Sequence, residues 1–338
     1  MITEDNKERI DSLISKMRAG NQRATGRLLT LVENNLDAAA YIIKKIYEFT
    51  GNAYIIGITG APGSGKSSLI NTMIEKFVDA GKRVGIVAVD PTSPFSGGAL
   101  LGDRIRMKRN FSINDVFIRS MANRGQLGGL ARATKDLVKV LDAAQNDIIL
   151  IETVGVGQSE VEIFKSAHTT VVIVIPGLGD EIQAIKAGIM EITDIFVVNK
   201  MDFAGADQKV AELESMLDLN EKYEVSNPDH SLIVTRTQGW RPPIIKTNAI
   251  TGKNIDKFIS LIEKHKKYLI ENNQMENKLK IKYRSEVLEI LKFRMTQNIE
   301  ALIYKNPEIN QYIDKIIAKE KDPYSISEEI LLKFIHMG

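Results

Sequence analysis

A glycine-rich segment at residues 60–67 constrains the fold more than any other part of this sequence. It consists of Gly60, Ala61, Pro62, Gly63, Ser64, Gly65, Lys66 and Ser67, and it matches the pattern G-x-x-x-x-G-K-[ST]. A β-branched apolar run ends just before it, and a helical pattern begins at Lys66. In that setting backbone N–H groups and the helix N-terminus bind phosphate, the lysine reaches the β- and γ-phosphates, and the serine hydroxyl ligates Mg²⁺. The segment therefore predicts a nucleotide-phosphate loop, with Ser68 as a further residue of the site.

The surrounding sequence predicts an α/β fold. Short β-branched runs alternate with amphipathic, helix-like segments, and strands that are apolar on both faces suit a parallel sheet covered by helices on both sides. We therefore expect a doubly wound, mostly parallel sheet with helical extensions at both ends. The predicted strands are 54–59, 84–89, 147–152, 170–175, 194–199 and 244–249, and the predicted crossover helices are 66–80, 130–144, 181–192, 207–219 and 254–269. The predicted domains are a helical extension at 1–50, a nucleotide-binding domain at 51–271 and a helical segment at 272–338.

Composition excludes several functional classes. The chain has 338 residues and no cysteine, which rules out disulfides, a cysteine nucleophile and thiolate metal sites. A net charge of +2 gives no electrostatic reason to expect nucleic-acid binding. The apolar stretches are far shorter than the roughly 20 residues that span a bilayer, and no targeting signal is visible. These features predict a cytoplasmic protein with no membrane or nucleic-acid partner.

A second motif indicates which base is bound. Asn199, Lys200, Met201 and Asp202 directly follow an apolar run, and they match the N-K-x-D pattern. A carboxylate at Asp202 can accept hydrogen bonds from the guanine N1–H and 2-amino groups, which adenine does not offer. Asn248, Ala249 and Ile250 follow the next predicted strand, where a backbone N–H can read guanine O6. The two segments predict a GTP/GDP site and argue against an adenine-nucleotide motor.

A third motif indicates the γ-phosphate contact. The segment that follows a predicted strand, Glu152-Thr153-Val154-Gly155, occupies the place of a D-x-x-G motif. In this position Glu152 would hold Mg²⁺, and the Gly155 N–H would contact the γ-phosphate. Val156 stands where Ras-like enzymes carry the glutamine that orients the attacking water. Slow intrinsic hydrolysis, or a catalytic group delivered from elsewhere, is the expected consequence. Gln158 is nearby, at a different offset.

Several long motifs resemble the methylmalonyl-CoA-mutase-associated GTPases, the MeaB/ArgK/MMAA family. They lie at residues 90–107, 125–134, 152–160 and 176–189, and the likeness extends from the N-terminal helices to the final apolar helix. The resemblance implies a homodimeric, Mg²⁺-dependent P-loop G protein of the SIMIBI class that acts as a metallochaperone. Such proteins gate transfer of adenosylcobalamin from a cobalamin adenosyltransferase to a cobalamin-dependent acyl-CoA mutase, and they help to remove damaged cofactor.

The resemblance also implies roles for individual residues. The Mg²⁺ and switch positions of the family fall on Asp90, Asp103 and Glu152, together with Ser67 of the phosphate loop. The third switch corresponds to residues 177–188, where Asp180 and Lys186 match positions implicated in partner-stimulated hydrolysis. The implied catalytic set is thus Lys66, Asp90, Asp103, Asp180 and Lys186. Asn248 departs from the serine that is common in the family, and the C-terminal helices match a dimerisation arm.

One alternative function remains open at this point. A P-loop kinase would pass the γ-phosphate of GTP or ATP to a protein or small-molecule acceptor. The four histidines, including His168 and His265, have no second ligand at metal spacing, so we expect them to be structural or solvated. Trp240 precedes Arg-Pro-Pro and predicts a turn at the entry to a strand.

Overall fold

The computed structural model describes residues 3–90, 115–122, 127–153, 167–177, 192–226 and 239–334. Contacts divide the chain into two compact units, Met1–Arg284 and Ser285–Gly338. The domain boundaries at 50/51 and 271/272 remain sequence-based predictions. Within the described part of the chain, no helix combines the length and apolar character needed to cross a membrane.

The chain begins with three amphipathic helices, α1 (Glu4–Arg18), α2 (Gln22–Asn34) and α3 (Leu36–Ile46). The side chains of Asn21 and Asn35 cap α2 and α3 by accepting hydrogen bonds from Ala24 N and Ala38 N, each at 2.9 Å. The apolar faces of the three helices are buried in one cluster with the helix α5 (Leu127–Ala143). The N-terminal helices therefore cover one face of the sheet that follows.

Seven strands form a single sheet in the described residues. Its order is β3-β2-β4-β1-β5-β6-β7, and every neighbouring pair is parallel. This confirms the predicted doubly wound parallel sheet. The strands are β1 (Tyr54–Gly60), β2 (Val84–Asp90), β3 (Val116–Ala122), β4 (Ile148–Thr153), β5 (Thr169–Val174), β6 (Ile195–Val198) and β7 (Ile244–Lys246).

Helices cover both faces of the sheet, which explains why its strands are apolar throughout. On β4, Ile149 and Ile151 face the cluster of α5 and the N-terminal helices, whereas Ile148 and Leu150 face the opposite cluster. That second cluster contains the helices α4 (Lys66–Asp79) and α7 (Ile255–Glu271). The helix α6 (Ala206–Ser226) packs on β6 in a third, smaller cluster. The predicted helix at 181–192 lies outside the described residues except for its last position.

The strand β3 was not predicted from the sequence. It pairs in register with β2, from Val84 opposite Val116 to Asp90 opposite Ala122. Arg119 and Ser120 interrupt its apolar pattern, and Arg119 forms an ion pair with Glu33 of α2. The strand lies at the edge of the sheet, where a polar side chain can reach a covering helix.

The C-terminal part is helical, as the sequence predicts. Three helices follow α7, namely α8 (Gln274–Lys305), α9 (Glu308–Ile317) and α10 (Pro323–Phe334). Within the unit Ser285–Gly338, the buried residues Ile309, Ile326 and Ile330 form a small core.

Polar residues meet at the amino-terminal edge of the sheet. Asp194 lies directly before β6, and its carboxylate contacts His265 of α7 and Lys278 of α8. The backbone carbonyl of Asp194 accepts a hydrogen bond from Trp240 Nε1 at 2.8 Å. His265 also contacts Thr169 Oγ1, at the start of β5, at 2.8 Å. We refer to Asp194, His265, Lys278, Trp240 and Thr169 as the Asp194 network.

His168 adjoins this network, and its buried imidazole should make the free energy of unfolding depend on pH. Its Nδ1 accepts a hydrogen bond from Ile55 N at 3.1 Å, and burial together with nearby cations, led by Lys282 and Lys278, lowers the pKa of His168 to about 3. Below the ordinary histidine pKa of about 6.5, the unfolded chain binds a proton that the folded chain does not. The free energy of unfolding should therefore fall as the pH decreases from about 6.5 toward about 3, by at most about 1.4 kcal/mol per pH unit from this group.

Denaturant titrations of the wild type and His168→Gln measure this effect. Between about pH 6.5 and about pH 5.5, above the ordinary pKa of Asp and Glu, the variant should show a flatter profile. Parallel profiles in that window would contradict the assignment.

Candidate functional site

The predicted nucleotide motifs lie at the carboxyl-terminal edge of the sheet. The phosphate loop follows β1, Glu152 lies near the end of β4, Asn199 follows β6 and Asn248 follows β7. Because all the strands are parallel, these ends meet at one edge. In open α/β sheets this edge is where ligands bind, next to the central strand where the chain reverses its direction of winding. Here the direction changes between β1, which connects to β2 on one side, and its neighbour β4, which connects to β5 on the other.

The backbone of the phosphate loop requires glycine at two positions. Gly60 has φ +151°, and a Cβ there would lie 2.2 Å from the carbonyl oxygen of Ile173. Gly65 has φ +89°, and a Cβ there would lie 2.4 Å from Asn199 Nδ2. The first glycine allows β1 to turn beside β5, and the second allows the loop to approach the guanine motif closely.

Lys66 is buried at the first turn of α4. Its side chain is 6% exposed, and Nζ donates hydrogen bonds to the carbonyl oxygens of Gly60 at 2.8 Å and Ala61 at 2.9 Å. The ammonium group is therefore held inside the curve of the loop, while Pro62 and Gly63 at its tip are exposed. This arrangement presents a positive charge where phosphate oxygens would lie.

Two predicted Mg²⁺ ligands lie together beside this lysine. Ser67 Oγ donates a hydrogen bond to Glu152 Oε1 at 2.9 Å, and Glu152 is 3% exposed. Hydroxyl and carboxylate oxygens are the hard donors that Mg²⁺ prefers, so this pair fits the ion. Val89 of β2 pairs in register with Thr153 of β4, which places the backbone of Asp90 at the same edge. The side chain of Asp90 is not among those described.

Asn199 joins the phosphate loop to both guanine segments. Its amide nitrogen donates a hydrogen bond to Ser64 O at 2.8 Å. Its Oδ1 accepts hydrogen bonds from Ala249 N at 3.1 Å and Thr247 Oγ1 at 3.3 Å. Asn199 is 2% exposed, so these contacts are shielded from water. The base-recognition and phosphate-binding segments are thus parts of one site.

Asp202 is exposed, and one oxygen of its carboxylate is hydrogen-bonded to the side chain of Asn248. Asn248 Nδ2 donates a hydrogen bond to Asp202 Oδ1 at 2.6 Å, while Asn248 Oδ1 accepts from the backbone N–H groups of Ile250 and Thr251 at 3.0 and 3.1 Å. Because these two donors fix which end of the Asn248 amide is oxygen, its NH₂ group must point toward Asp202. The remaining acceptor positions of the carboxylate suit the two N–H donors of guanine.

Two threonines beside the base-recognition segments, Thr247 and Thr72, were not singled out from the sequence, whereas Lys200 was. Thr247 contacts Asn199, and Thr72 Oγ1 of α4 donates a hydrogen bond to Ala249 O at 3.0 Å. Lys200, at φ +56°, places Nζ 5.6 Å from the centroid of the half-exposed Phe203 ring. Threonines next to a motif are too common for the sequence alone to indicate that Thr247 and Thr72 contact the base-recognition segments.

Four predicted site residues lie outside the described residues. These are Asp103, Gly155, Asp180 and Lys186. Their roles, like that of the Asp90 side chain, remain predictions. The structure brings together the predicted residues Gly60, Ala61, Ser64, Gly65, Lys66, Ser67, Glu152, Asn199, Asp202, Asn248 and Ala249.

Known proteins resemble the chain along most of its length. The family model described as methylmalonyl Co-A mutase-associated GTPase MeaB matches residues 25–303. A protein of Pyrococcus abyssi (strain GE5 / Orsay) with a provisional GTPase name is 48% identical over 330 residues, covering 97% of this chain and 98% of its own. The Mus musculus methylmalonic aciduria type A homolog, mitochondrial, is 26% identical and covers 96% of this chain and 79% of its own. The crystal structure of an LAO/AO transport system kinase has a TM-score of 0.66 and 22% identity, and it covers 98% of each chain.

Asp202→Asn tests the assignment of the guanine motif. An asparagine amide can donate a hydrogen bond to the 2-carbonyl of xanthine, whereas the carboxylate accepts from the 2-amino group of guanine. We expect the variant to lose at least about tenfold in GTP affinity and to gain affinity for XTP. Competition titrations against a fluorescent GDP analogue measure the dissociation constants of GTP and XTP. An unchanged GTP affinity would contradict the assignment of Asp202 to guanine recognition.

Proposed function

The chain belongs to the MeaB family of methylmalonyl-CoA-mutase-associated GTPases, and from that premise we propose that its GTP hydrolysis serves a cobalamin-dependent acyl-CoA mutase. In this proposal the protein is a metallochaperone. It gates the loading of adenosylcobalamin, delivered by a cobalamin adenosyltransferase, and it protects or reactivates the mutase. The observation that carries the proposal is the family match over residues 25–303.

The site geometry supports the hydrolytic half of the proposal. The Lys66 ammonium is placed to neutralise charge on the transferring phosphate, and the Ser67–Glu152 pair supplies oxygen ligands for Mg²⁺. Asn199 holds the phosphate loop against the base-recognition loop, so the base and the phosphates are bound in fixed relation. Mg²⁺, when bound, would stabilise charge on the β- and γ-phosphate oxygens.

The remaining catalytic groups belong to the switch segments. We assign Asp90 and Asp103 to the Mg²⁺ site, and the Gly155 N–H to the γ-phosphate. Since Val156 cannot orient a water molecule, we assign stimulated hydrolysis to Asp180 and Lys186 of the third switch. Hydrolysis is then slow in the absence of the partner.

The absence of cysteine from the sequence supports a gating role. Thiolates are the ligands that most commonly let a chaperone carry a soft metal, and this chain has none. Any handling of cobalt by this chain therefore does not use thiolates, and we assign the control of cobalamin transfer to contact with the mutase. The same conclusion agrees with the name of the family.

GTPase assays with and without the mutase test the proposal. Phosphate release should be slow for the protein alone, and it should rise at least about tenfold with the acyl-CoA mutase of the same genome. A mutase that does not depend on cobalamin serves as the control. Transfer of ³²P from [γ-³²P]GTP to a protein or metabolite, without partner stimulation, would instead support the P-loop kinase alternative.

Lys186→Ala tests the assignment of the catalytic switch. GTP affinity should stay within about twofold of the wild type, because Lys186 belongs in the sequence to neither the phosphate loop nor the base-recognition motifs. Partner-stimulated phosphate release should fall to the basal rate. Equal stimulation of the variant and the wild type would remove Lys186 from the mechanism.

A homodimer is a further part of the proposal. On α8, the apolar residues Leu288, Leu291, Met295 and Ile299 follow one another at helical spacing, and their exposed fractions are between 38% and 52%. We propose that a second copy of the chain covers this stripe, because helices with an exposed apolar stripe associate through it.

Sedimentation measurements on Leu288→Glu/Met295→Glu test this interface. The wild type should sediment as a dimer and the double variant as a monomer, since a charge in an apolar helix interface is costly. Glu300→Gln, on the same helix, is the control and should leave the dimer intact. A monomeric wild type would refute the dimer without affecting the assignment of the GTP site.

A further inference from the structure

The Asp194 network places ionisable groups in the interior, at the opposite edge of the sheet from the nucleotide motifs. Asp194 and His265 are both 0% exposed. One carboxylate oxygen of Asp194 lies 3.2 Å from His265 Nε2, and the other accepts hydrogen bonds from Lys278 Nζ at 3.1 Å and Thr170 N at 2.9 Å. Nothing in the assigned nucleotide chemistry uses these groups, so their presence in the interior requires a separate explanation.

A catalytic role is excluded by burial. Thr169, His265 and Asp194 have the order hydroxyl, imidazole and carboxylate that is found in hydrolytic triads. All three residues are 0% exposed, and the hydroxyl of Tyr54 lies 2.6 Å from the Thr169 hydroxyl. No substrate can reach a hydroxyl in this position. The network therefore acts on the structure of the protein.

The neighbours of Asp194 favour the ionised form of its carboxylate. Burial by itself raises the pKa of Asp194, but the Lys278 ammonium and then His265 and the Thr170 N–H outweigh it and hold that pKa well below its usual range. Removing one partner of a buried ion pair leaves an uncompensated charge, which is far more destabilising than replacing both partners by neutral groups. A change at Lys278 must therefore alter the position or the protonation of Asp194.

Because of the position of Asp194 in the chain, such a change would act on β6 and on the residue that follows it. The residue lies directly before β6, which is only the four residues Ile195–Val198, and Asn199 follows that strand directly. Four extended residues span about 13 Å. The strand is fully buried and pairs in register with β5, so it cannot absorb a displacement by bending into solvent.

Lys278 also holds the neighbouring strand. Its Nζ donates a hydrogen bond to the carbonyl oxygen of His168, one residue before β5, at 3.0 Å. One ammonium group thus contacts the amino-terminal ends of both β5 and β6, which are also joined by a hydrogen bond from Asp194 N to Thr170 O at 2.9 Å. At the other end of these strands, Asn199 N donates a hydrogen bond to Val174 O of β5 at 2.9 Å.

We propose that Lys278 and Asp194 are positioning residues for guanine-nucleotide binding. Their ion pair, in which Asp194 is buried and the Lys278 side chain is 15% exposed, sets the position of β6 along the sheet, and through this strand it sets the positions of Asn199 and Asp202. The proposal rests on the guanine site assigned above. It makes the first turns of α8 part of the machinery that retains the nucleotide.

The test is the rate at which a fluorescent GDP analogue, mant-GDP, dissociates from the full-length protein. Lys278→Met should release it about tenfold faster than the wild type, within the range that positioning residues remote from a ligand produce. The double variant Asp194→Asn/Lys278→Met, which replaces both charges by neutral groups, should return the rate toward that of the wild type. Lys280→Met is the matched control, because Lys280 is on the same helix, exposed and paired with Glu276. It should leave the rate unchanged.

Melting temperatures separate positioning from stability alone. A folded Lys278→Met protein with a lower melting temperature and an unchanged mant-GDP release rate would overturn the proposal. If Lys278→Met does not fold, Lys278→Arg replaces it, since it retains the charge but displaces the carboxylate. Faster release from that variant then supports the proposal, and unchanged release overturns it. A wild type that does not bind mant-GDP at all would refute the guanine assignment and this proposal together.

Discussion

The candidate site depends on the side chain of Asn199 more than on any other single group. One amide contacts the phosphate loop at Ser64 and the base loop at Thr247 and Ala249. A buried amide with unmet hydrogen bonds would be costly, so the three segments must stay together for it to be satisfied. Gly65 is part of the same constraint, because any Cβ there would collide with the Asn199 amide. Asn199 therefore adds a steric reason for glycine at position 65 to the one given by the positive φ of that residue.

Much of the fold could be predicted because burial on both faces leaves a clear pattern in the sequence. Strands such as β1 and β5 are apolar at every position, and such short β-branched runs between helical segments are typical of parallel sheets. The strand β3 was missed because it lies at the edge of the sheet and carries Arg119, whose charge is balanced by Glu33. The sequence does not show that pairing, because the two residues lie 86 positions apart. An edge strand whose charged residue is paired with a residue remote in sequence cannot be recognised from the local sequence pattern.

The candidate site was easier to predict than the Asp194 network for a similar reason. Phosphate and base recognition use contiguous motifs at strand ends, so the chemistry is visible in four to eight neighbouring residues. Asp194 and Lys278 are 84 residues apart, and His265 by itself resembles any histidine on a helix. Nor could the sequence show how Asn248 is used, because its contact with Asp202 depends on the backbone turn that fixes its amide. Local chemistry can be read from the sequence, whereas groups that act through tertiary contacts cannot.

The parallel sheet separates two kinds of polar chemistry. At the carboxyl-terminal edge the strands end in loops, and polar groups such as Asp202 are exposed and available to a ligand. At the amino-terminal edge the buried carboxylate of Asp194 is paired with the partly buried ammonium of Lys278. Because each strand runs from one edge to the other, a residue that fixes its beginning also restricts its end, and β6 is so short that the restriction is nearly direct. A buried ion pair adds little net stability compared with apolar residues. Its value here is then in holding one strand in one position, which is what a loop that must discriminate between bases by hydrogen bonds requires.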